Sequence, residues 1–141
     1  MYSILEKRPL KQESFYMKEF ERWFKKAEED LYVIKHLLTL NDAPPTICCF
    51  HAQQAVEKYL KAYLITKNIL VPKTHDLELL VKLSTRINPL FNDILSKAIS
   101  LSNYSVIPRY PDMLDDLTIE DAKNAYQKAL DIKHFILKNF F

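Results

Sequence analysis

The sequence predicts an all-α fold: an antiparallel up-and-down bundle of four to five helices. Three observations carry this. Apolar residues recur at i, i+3, i+4 spacing almost throughout the chain. Prolines and asparagines interrupt that pattern at intervals that suit helix lengths. Glycine is absent from all 141 residues. The last observation excludes hairpins built on Asn-Gly or Asp-Gly. It also excludes the glycine-rich phosphate loop, the dinucleotide turn and the G-x-S-x-G nucleophile elbow.

The first helix is expected over about 14–40, with Phe20, Trp23, Phe24, Ala27, Leu31, Ile34 and Leu38 on its apolar face. Asn41 to Pro45 ends it, because two prolines fix the backbone and remove donors. The second helix is expected over 46–67. Ala52, Ala55, Val56, Tyr59, Leu60, Tyr63 and Leu64 form its core side, and the small alanines permit close packing. At 100° per residue, Gln54, Lys58 and Lys61 share the opposite side, flanked by His51 and Glu57. After a connector ending in Pro72 and Lys73, Thr74 is placed to cap a third helix over 75–86, with Asp76 near its positive end. Asn88-Pro89 breaks this helix, which resumes through Leu90, Phe91, Ile94, Leu95, Ala98 and Leu101. The stretch 103–117 reads as irregular. The last helix starts at Thr118, with Asp121 as the acid of a capping box. Without glycine, the left-handed residue ending a helix falls to asparagine, and Asn41, Asn68, Asn88 and Asn103 all stand near expected helix ends.

No repeat or linker divides the chain, so 1–141 reads as one domain with the bundle at about 14–139. Hydrophobic residues make up 48% and charged residues 27%, a globular balance. A chain this long buries roughly 68–70% of its unfolded surface, enough for a core. Twenty basic and 18 acidic side chains leave a net charge of +2, too little for a dedicated duplex-DNA binder. No apolar run is long enough to span a membrane, and the first residues do not read as a secretory signal. Cys48 and Cys49 are adjacent and cannot build a cross-chain framework. They read as small core residues in a reducing cytoplasm. Histidines at 36, 51, 75 and 134 show no metal-ligand spacing, so no metal site is expected.

Three clusters could carry chemistry. The polar stripe Gln54, Glu57, Lys58 and Lys61 offers amide, carboxylate and ammonium groups within two turns. It suits a phosphate or a base edge, and equally a solvated face or buried hydrogen bonds at a dimer seam. His75, in Thr74-His75-Asp76-Leu77, sits at a helix start, where it could be ligand or base, or simply part of a capped turn. Arg109 and Tyr110 lie between Pro108 and Pro111. Arginine suits bidentate phosphate contact and tyrosine suits base stacking, while an Arg–Asp pair ordering the loop is the structural alternative. No H-E-x-x-H pattern and no nucleophilic triad can be assembled from the sequence.

The string from Phe50 to Ala62 (FHAQQAVEKYLKA), followed by Thr74-His75-Asp76-Leu77 and Arg109-Tyr110-Pro111, resembles the HEPN family (higher eukaryotes and prokaryotes nucleotide-binding). Ala27 to Leu31 and the Asp121, Ala122, Ala125 helix fit the same pattern, so the resemblance spans about 18–138. It implies a helical bundle that forms a homodimer and acts beside a minimal nucleotidyltransferase protein, in some cases as a toxin–antitoxin pair. It implies binding of RNA or of a nucleotide such as ATP, with no cofactor required. On that basis the ligand-binding residues are Gln54, Glu57, Lys58, Lys61, His75, Arg109 and Tyr110. Catalytic members of the family are metal-independent ribonucleases with an arginine followed, four to six residues later, by a histidine. This chain departs from that motif. Five to seven residues after Arg109 stand Leu114, Asp115 and Asp116, and neither Arg8, Arg22 nor Arg86 leads to a histidine. Three readings therefore remain: a binding module, a ribonuclease using Arg109 and His75 with a non-standard active site, and a structural dimerisation module.

Overall fold

A computed structural model of the chain describes residues 5–7, 13–106 and 117–141. The helices are α1 (Glu13–Leu37), α2 (Pro45–Thr66), α3 (Leu77–Ile87), α4 (Leu95–Ser102) and α5 (Ile119–Phe140). Short 3₁₀ segments occupy Pro89–Ile94 and Asn103–Ser105. Among the described residues there is no strand; one isolated bridge pairs Lys7 with Ile69. No described helix is long and apolar enough to cross a membrane.

The helical bundle expected from periodicity is present, with differences at the element ends. α1 stops at Leu37 rather than 40, because Thr39 and Leu40 donate to the carbonyls of His36 and Leu37 and tighten the chain into a turn. α3 starts at Leu77. Its cap is Asp76, whose carboxylate accepts from the Leu79 N–H at 3.3 Å, and Thr74 instead accepts from the Asp76 N–H. The segment after Asn88 begins as 3₁₀ because Pro89 brings no N–H and Asn88 accepts from both Leu90 and Phe91, fixing a tight spacing. The capping box at Thr118 and Asp121 forms in both directions. Of the four asparagines, only Asn68 takes positive φ, at 60°. Asn88 is extended and Asn103 is helical.

The core is organised around α2. It packs along both α1 and α5, which barely meet each other. Cys48, Cys49, Ala52, Ala55, Val56, Tyr59, Leu60, Tyr63 and Leu64 are buried on α2. Ala122, Ala125 and Ala129 bring a stripe of small buried residues from α5, which lets helix axes approach closely. An aromatic cluster closes one end: Tyr63, Phe91 and Phe140 lie with ring centroids 4.4–4.8 Å apart. Leu5 packs on the core, and the Leu70 N–H donates to the Glu6 carbonyl at 2.6 Å.

Candidate functional site

The helical phase places His51, Lys58, Gln54, Lys61, Glu57 and Gln53 of α2 in one arc of roughly 160°. The sequence makes this arc look like an outward polar side. In the structure α1 and the segment 75–77 close over its two flanks. Gln53 is 0%, Glu57 4% and Lys61 6% exposed, while His51, Gln54 and Lys58 are half-buried, so of the open alternatives a simply solvated face is excluded and buried hydrogen bonds are present, made within the chain. A charge can be buried only with partners, and each one here has them.

Glu57 is the centre of the first group. One carboxylate oxygen meets His75 Nδ1 at 2.8 Å, and the other accepts from the Lys61 ammonium at 2.9 Å. Gln53 donates to Glu57 at 3.3 Å and to the His75 carbonyl at 3.0 Å, while its own oxygen accepts from Gln54 at 2.6 Å. Lys61 also sits 5.7 Å from the Trp23 ring centroid, where the aromatic face offsets part of its lost hydration. The His75 side chain is 68% exposed although Nδ1 is held by the buried carboxylate. The ring is thus oriented from within and open to solvent outside. The capped start of α3 fixes the same segment, and the Leu77 N–H donates to Ser102 Oγ at 3.1 Å, tying it to the end of α4.

Asp30 of α1 is the centre of the second group and repeats the arrangement. One oxygen meets His51 Nδ1 at 2.8 Å, and the other accepts from Lys58 at 2.6 Å. Each buried carboxylate therefore bridges one histidine and one lysine. Chemically, an imidazole held this way by a carboxylate has a defined ring orientation and can exchange a proton through its other nitrogen.

Of the expected residues, Gln54, Glu57, Lys58, Lys61 and His75 come together in this network. Arg109 and Tyr110 lie outside the described residues. Lys58 and Lys61 are each committed to a carboxylate. Sequence reasoning passed over Gln53, Asp30 and the role of Trp23. Gln53 and Glu57 are four residues apart on one helix face, a spacing that could have signalled the contact. Asp30 and Trp23 reach the site only through tertiary packing. Among the described residues no group of three or more His, Cys, Asp or Glu could hold a metal ion.

The chain matches the HEPN domain family over residues 20–139. It belongs to that family. A Methanocaldococcus jannaschii protein, named as a candidate toxin, is 30% identical over 140 residues, covering 89% of this HEPN chain and 90% of its own length. The crystal structure of a Thermus thermophilus protein matches with a TM-score of 0.73 at 26% identity, covering 84% of this chain and 96% of that one. The crystal structure of an archaeal HEPN homologue matches with a TM-score of 0.67, again at 26% identity, over 84% and 95%. All of the α2 network and His75 fall inside the matched HEPN region.

Proposed function

We propose that this chain is the HEPN component of a toxin–antitoxin pair. It acts as a homodimer beside a minimal nucleotidyltransferase and binds RNA or a nucleotide through the polar face of α2. The observation that carries the reading is the buried Gln53–Glu57–Lys61 network with the exposed His75 ring at its end. Replacing a buried ion pair by apolar residues is often neutral or stabilising. A network that costs desolvation yet orients one open imidazole is therefore better explained by a task than by stability. The similarity to a candidate toxin supports the toxin side of the pair. Arg109 and the partly exposed Lys58 supply positive charge for phosphate, Lys61 holds Glu57 from within, Gln54 offers a hydrogen bond, and Tyr110 a stacking surface. The test is a native pull-down of the tagged chain from its own host, with mass spectrometry of proteins and nucleotides. A nucleotidyltransferase in stoichiometric yield is the expected result. An empty homodimer that binds neither RNA nor nucleotide at low salt would refute the reading.

The Glu57–His75 contact favours a second reading, in which the chain cleaves RNA without metal. The ribose 2′-hydroxyl attacks phosphorus as His75 takes its proton, and the P–O5′ bond breaks with the leaving O5′ taking a proton from water, giving a 2′,3′-cyclic phosphate and a 5′-hydroxyl. Arg109 stabilises the charge on the phosphate oxygens. Cleavage in chelator that is lost in both His75→Ala and Arg109→Ala is the expected result. RNA left intact by the wild-type protein, or cleavage unchanged in His75→Ala, would eliminate it.

A further inference from the structure

A groove lies away from the α2 network. α1 and α5 both pack on α2 but barely touch each other, and the gap between them is a groove of about 490 Å³. That is within the range of small-molecule sites. On α1, Lys25, Glu28, Tyr32 and Lys35 follow i, i+3, i+7, i+10 and share one face along the groove. Tyr126 and Lys133 line it from α5, with Leu31 and Leu130 giving it an apolar floor.

The polar groups in the groove differ in how they are tied. Glu28 accepts from the Tyr59 hydroxyl and pairs with Lys133 at 2.8 Å. Burial would raise its carboxyl, but the hydrogen bonds from Lys133 and Tyr59 outweigh burial and hold it below the usual range. Glu28 is therefore an ionised acceptor facing the groove. Among the described residues, Lys25 and Lys35 pair with no carboxylate. They stand about 15 Å apart along the helix, one at each end of the groove. Tyr32 lies between them and is 61% exposed, an unusual amount for so large an aromatic side chain.

We propose that this groove binds a phosphate-bearing nucleobase. Tyr32 and Tyr126 contact the base, Glu28 accepts a hydrogen bond from its exocyclic amine, and Lys25 or Lys35 meets the phosphate. Single-stranded nucleic acid is bound by stacking surfaces set beside cations, and here two tyrosines stand among three lysines and two acids, Glu28 paired with Lys133 and Glu29 with Lys26. A carboxylate reads an amino group, as an acidic side chain reads the cytosine amine in duplex DNA. Uracil has no such amine and is disfavoured. The proposal rests on the expectation that the chain binds RNA or a nucleotide, and adds to the α2 face a second contact on a face remote from it. The ligand is a free nucleotide or one unit of an RNA strand.

The test is calorimetric titration of the full chain at low salt with AMP, UMP and a short oligoadenylate RNA. Lys25→Ala/Lys35→Ala and Tyr32→Ala are compared with His75→Ala. The substituted groove side chains are exposed, so folding is unaffected. About tenfold weaker binding is expected in each groove variant, with wild-type affinity in His75→Ala. AMP should bind more tightly than UMP. Saturation by AMP alone assigns the groove to a free nucleotide, and binding of the oligonucleotide only assigns it to RNA. Unchanged binding in the groove variants with loss in His75→Ala overturns the groove and leaves the α2 reading standing. No binding of any probe by the wild-type chain overturns both, and equal affinity for AMP and UMP overturns the role of Glu28.

Discussion

Substituting Lys61 by methionine tests the buried network most directly. Met keeps the length of the side chain and its packing against Trp23, and removes only the ammonium. Glu57 then remains, 4% exposed, with a carboxylate that has lost its one lysine. Breaking a buried pair in this way costs about 3–5 kcal/mol. The lower end applies here, because Glu57 keeps its contacts to His75 and Gln53. With an unfolding entropy near 2.1 cal/mol/K per residue, a chain of 141 residues loses about 3 °C of Tm for each kcal/mol. Lys61→Met should therefore lower Tm by about 10 °C. Glu57→Leu should cost less, because Lys61 can extend its ammonium toward solvent past Trp23. The double variant Glu57→Leu/Lys61→Met should recover to within about 1 kcal/mol of wild type, since no unpaired charge remains and Gln53 keeps the His75 carbonyl. Thermal and urea unfolding of all four proteins completes the cycle. A drop of less than about 3 °C in Lys61→Met, or a double variant less stable than either single one, would refute the argument. The double variant also separates stability from function: it folds, but His75 has lost its carboxylate, so any metal-independent RNA cleavage should fall.

Other outcomes follow from single contacts. Asn68 holds a left-handed backbone at φ 60°, so Asn68→Ala should destabilise by about 1 kcal/mol while Asn68→Gly stays near wild type, read by urea midpoints. Thr118→Ala removes the hydroxyl that accepts from the Asp121 N–H and should cost about 1 kcal/mol, visible as a lower helical melt. Glu28 is held below its ordinary carboxyl value of 4.5, so it stabilises the fold above that pH and the contribution disappears as pH falls through the depressed value. Glu28→Gln should accordingly melt lower than wild type at pH 7 and match it at strongly acidic pH; a constant gap in Tm across that range would count against the Lys133 and Tyr59 contacts.

The bundle was legible because apolar spacing is a local signal and α2 carries it without interruption. The capping box at Thr118 was legible for the same reason, since donor and acceptor lie three residues apart. The α3 start was misplaced by two residues because Thr74 and Asp76 are both good cap residues and only the backbone decides between them. The polar arc of α2 was the least legible part, and its alternatives stayed open. Glu57 and Lys61 look like surface residues in sequence, and nothing local says that α1 and the 75–77 segment will cover them. Asp30 shows the same limit from the other side. It lies 21 residues from His51 and 28 from Lys58, and its partners become visible only when α1 lies along α2. The family match covers Glu57, His75 and Arg109, but it does not assign their chemistry.

The two adjacent cysteines give the chain a built-in reporter of motion. Cys48 and Cys49 are both fully buried in the first turn of α2, and burial raises the Cys48 thiol, so the thiolate that reacts with a labelling reagent is scarce in the closed state. Modification must then wait until the N-terminal end of the central helix opens. Because both sulfurs share one turn, a single opening event should expose the pair together. Labelling kinetics followed by intact mass should consequently show a doubly modified species with little of the singly modified one whenever reclosing is slow. That rate measures how often the helix at the centre of the bundle loosens while the rest of the molecule stays folded.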